Sequence, residues 1–395
     1  MQLRLMANTQ FIYELALAEM ELAALGAQFR VSDDFRTFTL DGATDREGLL
    51  RRLAYFETVD GQPTDYSRAL RFNQTRSINQ YLTHWIYPYK GKFHPQLVRA
   101  LLNVLRVQPG ETVLDPFVGS GTTLVEAQML AINALGLDVS PLCVLVSQVK
   151  TQAVAHLPQI EALAEAPLGS KPPEQGLFAQ QGEWPTHSAP VVNFFRVAHL
   201  MALSDAKRRR RQFGEAYRRN VQRMLGSLRD MAQAMHTLDL ADSAVVVARA
   251  DARHLPLPSN SIAGIVTSPP YSIALDYVSN DELALRALGS EPRLDREQFI
   301  GLRGKAAERF DLYLEDMTRA LREMHRVLRP GARCALVVGN VVQGGQEVDT
   351  TGRLVEAARC LGFTVERALD KIIYGLYNVI SREYVLFLRK AARPG

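Results

Sequence analysis

Residues 112–123 read TVLDPFVGSGTT, and this stretch decides the fold. Its first three residues predict a short buried strand that ends at Asp115. Gly119 and Gly121 then allow the backbone to turn sharply and to approach a ligand closely. The segment 121–130 predicts a helix, whose N-terminus offers free N–H groups and the positive end of a dipole. Strand, glycine turn and helix in this order predict a ligand-binding turn.

A second short strand, 134–137, ends in Asp138. An acidic side chain about 20 residues after such a turn can accept hydrogen bonds from both hydroxyls of a ribose. The dinucleotide pattern GxGxxG is incomplete, since Leu124 stands where its third glycine would be, and no phosphate-loop lysine follows. We therefore expect a nucleoside ligand without phosphates, such as an adenosyl group.

A second motif, residues 267–271 (TSPPY), follows the predicted strand 262–266. Open α/β sheets bind ligands at the carboxyl ends of their strands. The two prolines fix φ and remove donors, and Tyr271 offers a flat aromatic face. We expect this loop to hold an amino group by its hydrogens, with the attached ring stacked on the tyrosine, without a covalent intermediate. A simple Pro-Pro turn is the alternative.

The rest of the chain continues the alternation of strands and helices. Further strands are predicted at 243–247, 332–338 and 384–388. This alternation is typical of an α/β fold with a mostly parallel, doubly wound sheet. The segments 365–373 and 384–388 predict an antiparallel pair at one edge of that sheet.

Two regions depart from this pattern. Residues 1–70 predict a small N-terminal accessory domain, in which 11–25 forms a helix ahead of short strands. Residues 71–395 predict the main domain, and a basic helical insertion interrupts it over 151–242.

The insertion carries a concentrated positive charge. It has a Pro- and Gly-rich stretch over 166–190 and then a helical pattern over 191–238. Within that pattern Lys207–Arg211 is a run of five basic residues in a chain whose net charge is only +4. Such clustering is typical of nucleic-acid binding, and a solvated helix face is the alternative.

The cysteines and the overall hydropathy exclude several classes of protein. Cys143, Cys334 and Cys360 are widely spaced without a CxxC pair, so we expect buried thiols rather than disulfides or a zinc site, and we expect no metal. No apolar run approaches the length of a membrane span, and the N-terminus has no signal-peptide core. The sequence therefore predicts a cytoplasmic protein.

The two motifs carry a family resemblance. DPFVGSGTT and TSPPY resemble the glycine motif and the catalytic motif of S-adenosylmethionine-dependent amino-methyltransferases, which act on cytosine N4 or adenine N6 in DNA. The segment 89–95 (YKGKFHP) looks like the family's motif ahead of the first helix, which closes over the methionine part of the cofactor. The resemblance covers about 72–150 and 243–390. It implies a seven-stranded Rossmann-like methyltransferase sheet and S-adenosylmethionine as cofactor.

The resemblance also implies the site residues. The target base would be held by Ser268, Pro269, Pro270 and Tyr271. The cofactor would be bound by Lys92, Phe93, His94, Asp115, Phe117, Gly119, Gly121, Thr122, Asp138 and Asp251. Within this set Asp138 would hold the ribose, and Asp251 would face the adenine amino group. Serine at position 268 is typical of N4-cytosine enzymes, whereas adenine enzymes usually carry aspartate there. The first choice of reaction is therefore cytosine-N4 methylation of DNA, as in restriction–modification systems.

Other interpretations stay open at this point. Many N4-cytosine enzymes place the catalytic motif first, whereas here the glycine motif precedes it. The segment 11–25 and the phrase DPFVGSG also resemble tRNA guanine-N2 methyltransferases, so RNA is the alternative partner. A nucleic-acid-binding protein without turnover is a third reading. Phosphate contacts are expected from 191–238 or from the basic loop 289–309. A cognate restriction endonuclease and the oligomeric state are left open.

Overall fold

The structure is a computed structural model. It describes residues 1–42, 44–72, 77–165, 188–271, 276–291, 296–305, 308–343, 346–371 and 380–392. Most of the Pro- and Gly-rich stretch 166–190, and Arg293 of the basic loop, lie outside the described residues.

The N-terminal residues form an antiparallel sheet with the order β2-β3-β1-β4-β5. Its strands are β1 (Gln2–Leu5), β2 (Gln28–Val31), β3 (Thr37–Asp41), β4 (Phe56–Val59) and β5 (Gln62–Pro63). Alternation along β1 turns Leu3 and Leu5 inward. Its helices are α1 (Ile12–Ala24) and α2 (Arg46–Arg52), followed by α3 (Asp65–Leu70).

Buried polar groups join this N-terminal sheet to the rest of the chain. The Glu21 carboxylate accepts hydrogen bonds from the N–H groups of Ala54 and Tyr55 and from the Asn103 amide. The Arg52 guanidinium donates to the Asn103 side chain at 3.0 Å. Because a buried polar group without its partner is costly, these bonds fix how the two parts meet.

The second sheet has eight strands within the described residues, in the order β12-β13-β10-β9-β6-β7-β8, with β11 paired to β10 outside that order. Its strands are β6 (Thr112–Asp115), β7 (Asn133–Asp138), β8 (Val245–Arg249), β9 (Ile262–Thr267), β10 (Leu328–Gln343), β11 (Gln346–Val348), β12 (Phe363–Lys371) and β13 (Ile380–Lys390). The five strands from β10 to β8 are parallel, and β13 runs antiparallel between β10 and β12. The predicted α/β fold with a mostly parallel sheet and an antiparallel edge pair is confirmed.

Helices cover both faces of this sheet. The helices that follow the N-terminal sheet are α4 (Pro95–Val104), α5 (Thr122–Gln128), α6 (Pro141–Gln152), α7 (Leu157–Glu165), α8 (Ala189–Arg209), α9 (Phe213–Thr237), α10 (Tyr277–Ala287), α11 (Arg309–Val327) and α12 (Thr350–Cys360). Among them, α8 packs on α6 and α9 packs on α8, outside the layers that contact the sheet. Val113 and Val266 turn to the layer of α4 and α5, whereas Leu114 and Ile265 turn to the layer of α11. Burial on both faces explains why these strands read as continuous apolar runs.

The strand order reverses direction at β6. The chain passes from β6 outward to β7 and β8, and then returns to place β9 on the other side of β6. In open α/β sheets, ligands bind in the crevice at such a switch point, beyond the carboxyl ends of the strands. The two sequence motifs follow β6 and β9, so the topology brings both to this crevice.

Two expectations from the sequence were wrong in detail. The single helical pattern over 191–238 is broken at Arg210, whose φ of 52° is left-handed, so it forms the antiparallel pair α8 and α9. Cys360 lies at the end of α12 and is exposed rather than buried, whereas Cys143 and Cys334 are buried. In the part of the chain that the structure describes, no helix is both long and apolar enough to cross a membrane.

Candidate active site

The turn after β6 uses its two glycines for different purposes. Gly119 has a φ of +48°, and an added Cβ would lie 3.3 Å from the Tyr89 ring. Gly121 has a φ of +79° and caps α5, and an added Cβ would lie 2.8 Å from the Ser147 hydroxyl. Gly119 lines the cleft at the switch point, whereas Gly121 permits the close packing of α5 against α6.

Asp138, at the end of β7, is held in a fixed orientation. One carboxylate oxygen accepts from the Gly119 N–H at 3.0 Å, and the other accepts from the Ser140 N–H at 2.9 Å. Burial raises the pKa of Asp138 to about 6. The carboxylate therefore connects the glycine turn to the start of α6 and lines the cleft beside both.

Asp115 connects the two motifs. One of its oxygens accepts from the Thr267 hydroxyl at 2.6 Å, and the other accepts from the Thr123 hydroxyl at 2.7 Å. All three side chains are buried. Burial raises the pKa of Asp115 to about 6. Because Thr267 is the first residue of TSPPY, this carboxylate sets the distance between the turn after β6 and the loop after β9.

The loop after β9 ends in a chain of partly buried polar groups. The Tyr271 hydroxyl donates to Glu383 of β13 and accepts from Ser268 at 3.4 Å. Glu383 in turn forms an ion pair with Lys371 at the end of β12. Burial raises the pKa of Tyr271, so its hydroxyl stays protonated as a donor. The antiparallel edge pair thus fixes the orientation of the tyrosine ring.

These groups meet in one cleft, to which most of the predicted site residues contribute. The predicted residues that line it are Lys92, Phe93, Asp115, Phe117, Gly119, Thr122, Asp138, Asp251, Ser268, Pro270 and Tyr271. The described lining does not include His94, Gly121 or Pro269. His94 is the N-cap of α4, and Pro269 is a buried residue of the loop after β9.

Two of the predicted cofactor residues are already engaged within the protein. The Asp251 carboxylate forms a two-pronged ion pair with Arg253, which lowers the pKa of Asp251 although burial opposes it. The Lys92 ammonium donates to the backbone oxygens of Asn79 and His84, at 2.7 and 2.6 Å. Burial lowers the pKa of Lys92 to about 7. Both residues line the cleft with their charged ends turned to protein partners.

Sequence reasoning missed several residues of the cleft. Tyr89 packs against Gly119 and forms a contact with Cys143, while Asp281 comes from α10. Phe299 and Ile300 form an apolar wall from the loop that was expected to contact phosphates. In the sequence, Phe299 and Ile300 differ from the rest of this basic loop only in being a pair of large apolar residues.

That basic loop is less available to phosphates than its composition suggests. Arg296 forms an ion pair with Asp276 at 2.7 Å. Arg303 pairs with both Glu315 and Asp316. Since these two guanidiniums already have carboxylate partners, Arg296 and Arg303 stabilise the fold around the cleft.

The cleft fits a nucleoside that carries positive charge and no phosphate. Its described lining has four carboxylates, Asp115, Asp138, Asp251 and Asp281, and one lysine, Lys92. A phosphate group would meet like charge here, whereas a sulfonium would be attracted. Aromatic and apolar walls complete the lining and suit the flat face of an adenine.

Part of the chain is similar to known methyltransferases. Residues 86–164 match the sequence model of the UPF0020 family, described as RMKL-like, methyltransferase domain. The Type II methyltransferase M.MjaII of Methanocaldococcus jannaschii is 49% identical over 69 residues, which cover 18% of this chain and 13% of that protein. The Type II methyltransferase M.BsoBI of Geobacillus stearothermophilus is 45% identical over 64 residues, 16% of this chain and 12% of the relative.

A relative of a second kind matches over a longer stretch. The tRNA (guanine(10)-N2)-dimethyltransferase of Methanothermobacter thermautotrophicus is 35% identical over 95 residues, 24% of each chain. The matched stretches thus span between about an eighth and a quarter of these curated relatives. They confirm the resemblance drawn from the motifs. Residues 86–164 of this chain are therefore similar to part of an RMKL-like methyltransferase domain.

Proposed function

We propose that the protein transfers a methyl group from S-adenosylmethionine to an exocyclic amino group of a nucleic-acid base, with cytosine N4 in DNA as the first target. The observation that carries this proposal is the meeting of the two motif loops in one cleft, joined by the Thr267–Asp115 hydrogen bond of 2.6 Å. A methyl donor and an amine must lie within contact distance for such a transfer.

The turn after β6 supplies the cofactor side of the proposed site. Asp138, held by the N–H groups of Gly119 and Ser140, would accept the ribose hydroxyls. Phe117 and Phe93 would flank the adenosyl group, with Thr122 at the N-terminus of α5. When bound, S-adenosylmethionine supplies an electrophilic methyl group on a positively charged sulfur. The excess of carboxylates in the cleft favours that charge.

The loop after β9 supplies the base side. Ser268 and the backbone beside Pro269 and Pro270 would accept hydrogen bonds from the amino group, and the Tyr271 ring would stack on the base. Drawing the amino hydrogens toward acceptors directs the nitrogen lone pair toward the methyl donor. The bond to Glu383 keeps the ring of Tyr271 in place while the base enters.

A second target is supported by a particular observation. The 35% identity to a tRNA guanine-N2 enzyme over 95 residues supports guanine N2 in RNA as the second candidate. No such observation supports adenine N6 in DNA. Serine rather than aspartate at position 268 supports cytosine.

Access to the base places a requirement on the substrate. A base inside a duplex cannot reach a cleft at the carboxyl edge of a sheet, so it must be flipped out or already unpaired. We propose that residues 71–395 form the unit that performs the transfer. Residues 1–70 would be an accessory domain that contacts the substrate or supports the main domain through Glu21. This activity would take place in the cytoplasm.

The test is the identity of the methylated nucleoside. The protein is incubated with S-adenosylmethionine labelled on its methyl group and with either DNA or tRNA, and the nucleic acid is digested to nucleosides. Label in N4-methylcytosine supports the first target, and label in guanine from tRNA alone supports the second. Absence of label from both, in a protein that binds the cofactor, contradicts a methyltransferase and favours a binding protein.

A further inference from the structure

We propose that a second cavity, between the segment 80–90 and helices α8 and α9, holds phosphates of the nucleic-acid strand that carries the target base. This inference rests on the proposed function and adds to it the surface that holds the substrate backbone. The cavity, called here the α8–α9 cavity, has a volume of about 490 Å³. It is large enough to admit a charged chain rather than a single ion.

Positive charge dominates the lining of the α8–α9 cavity. Six basic side chains and one carboxylate, that of Asp205, occur among its described lining residues; the basic ones are Lys90, Lys92, Arg208, Arg209, Arg219 and Arg223. A cleft lined by one sign of charge concentrates the field and attracts ions of the opposite sign. Nucleic-acid backbones are the polyanions that such a cavity would meet under the proposed function.

The single carboxylate leaves part of this charge unpaired. Asp205 forms ion pairs with Arg209 at 3.2 Å and with Arg219 at 2.8 Å. Arg208 donates to the backbone oxygen of Asn280 at 2.9 Å, and Lys90 donates to the side-chain oxygen of the same residue at 2.7 Å. These two bonds go to neutral acceptors, and Asp281, the carboxylate on which both cations act, lines the methyl-transfer cleft rather than this cavity.

An aromatic ring orients another of the cations. The guanidinium of Arg223 lies 4.0 Å from the centre of the Trp85 ring. Arg223 is exposed, so its charge faces solvent while the ring restricts its motion. An arginine stacked on an aromatic ring suits the binding of a single-stranded nucleic acid, whose bases and phosphates are both accessible.

The α8–α9 cavity adjoins the methyl-transfer cleft. Tyr89 and Lys92 line both. Burial raises the pKa of Asp281, a residue of the cleft, to about 6. The charges of Arg208 and Lys90 oppose that rise, so they act on a group that lines the cleft. A strand whose base entered the cleft would therefore place neighbouring phosphates at the α8–α9 cavity. Arg211, between α8 and α9, and Arg218 of α9 are the matched reference, since they carry the same charge and are exposed outside the described lining.

The experiment compares two double variants of the full chain. Arg208→Gln with Arg223→Gln removes two cavity charges, and Arg211→Gln with Arg218→Gln removes two exposed charges outside the described lining. Binding of labelled single strands of about 16 nucleotides, as DNA and as RNA, is followed by fluorescence anisotropy between about 50 and 200 mM salt. Circular dichroism melting checks that both variants stay folded.

The cavity variant is expected to bind the strands about tenfold more weakly or worse, because charged hydrogen bonds to phosphate are lost. The slope of log K against log salt should fall by about 1.4, at about 0.7 for each phosphate contact on a single strand. The outer variant should keep the wild-type slope. The tighter of the DNA and RNA probes identifies which backbone the cavity accepts. Equal losses in the two variants would overturn the inference.

Failure of this inference is separable from failure of the proposed function. If the wild type labels nucleosides and the cavity variant keeps its KM for nucleic acid, the cavity has no such role while the methyl transfer stands. If the cavity variant loses strand binding but the wild type labels no nucleoside, the cavity is supported and the methyl transfer fails. Cofactor Kd should be unchanged in both double variants.

Discussion

The two concave surfaces of the molecule have opposite charge. The cleft at the switch point has four carboxylates and one lysine in its described lining, whereas the adjoining α8–α9 cavity has six basic side chains and one carboxylate. The carboxylates of the cleft are held by internal hydrogen bonds, as those of Asp115 and Asp138 show. The cavity cations Arg208 and Arg223 are exposed.

This difference indicates two kinds of recognition in one substrate complex. Fixed, buried acceptors suit a small ligand that must be oriented to within a fraction of an ångström. Exposed arginines suit a polyanion, whose binding depends on charge and tolerates movement. Variants in the cleft should therefore affect chemistry or cofactor affinity, and variants in the cavity should affect strand affinity and its salt dependence.

The largest effect is expected from Tyr271→Ala. Loss of the ring removes the stacking surface for the base, so kcat should fall by about 100-fold or more, as for other misplaced reactants. Cofactor Kd, measured by calorimetry, should stay within about threefold because the turn after β6 is intact. An equal loss of turnover and of cofactor affinity would contradict the division between the two sides of the cleft.

Tyr271→Phe is the matched control for that variant. The ring is retained and only the hydroxyl that donates to Glu383 is lost. Turnover should fall by about tenfold or less, the cost of one hydrogen bond to a charged group. A loss as large as that of the alanine variant would mean that the hydroxyl, rather than the ring, carries the function.

A change of pH should separate the cleft from the cavity. The pKa of Asp138 is about 6, so its carboxylate becomes protonated as the pH falls below that value. Cofactor Kd should therefore rise as the pH falls from about 8 to 5, since the protonated acid loses acceptor capacity. Arginines do not titrate in this range, and Lys92, whose pKa is about 7, gains charge as the pH falls, so strand affinity should not fall along the same curve.

Asp138→Asn tests the assignment of this pH dependence. The variant should bind the cofactor about 10- to 100-fold more weakly at pH 8, by loss of charged hydrogen bonds. Its remaining affinity should depend less on pH than that of the wild type. Asp115 and Asp281 have pKa values of about 6 as well, so an unchanged profile in Asp138→Asn would assign the titration to one of these two carboxylates instead.

Thr267→Val should weaken the link between the two motifs. The Asp115 carboxylate would lose a buried donor, which is expected to cost about 1–3 kcal/mol in the free energy of unfolding. Urea denaturation measures this. Thr39→Val, at an exposed position of β3, is the control with the same change of side chain and should alter stability by less than about 0.5 kcal/mol. Equal effects would show that the Asp115 bond contributes little.

A smaller effect is expected from Glu383→Gln. The neutral amide can still accept from Tyr271 but cannot pair with Lys371. We expect kcat to fall by about threefold to tenfold with little change in the KM for nucleic acid, because the residue positions the ring without touching the base. An unchanged kcat would show that packing alone holds the tyrosine.

The sequence predicted the parts of the site that are local in the chain. The strand, glycine turn and helix around Gly119 are set by residue types at fixed spacing, and so is the acid at Asp138. The place of TSPPY at the end of β9 followed from the apolar run before it. These features depend on backbone conformation and burial within about 30 residues, and the spacing of apolar residues and glycines in the sequence predicts both.

The parts that depend on distant contacts were not predictable in this way. That Gly121 packs on Ser147 rather than lining the cleft depends on how α5 meets α6. That Asp251 is paired with Arg253, and that Phe299 forms a wall, depends on the path of a loop. The helix break at Arg210 was not predicted, because no proline or glycine occurs at that point of the sequence. Arginine gives no indication in the sequence that it adopts the left-handed conformation there.

The proposal that the methyl donor and the base amine meet in one cleft is tested most simply by a crystal structure of the protein with S-adenosylhomocysteine and a short oligonucleotide. We expect the adenosyl group to lie against Gly119 and Asp138, with the sulfur turned toward a base amino group at Ser268–Tyr271. An adenosyl group bound outside this cleft, or a base held away from the loop after β9, would contradict it.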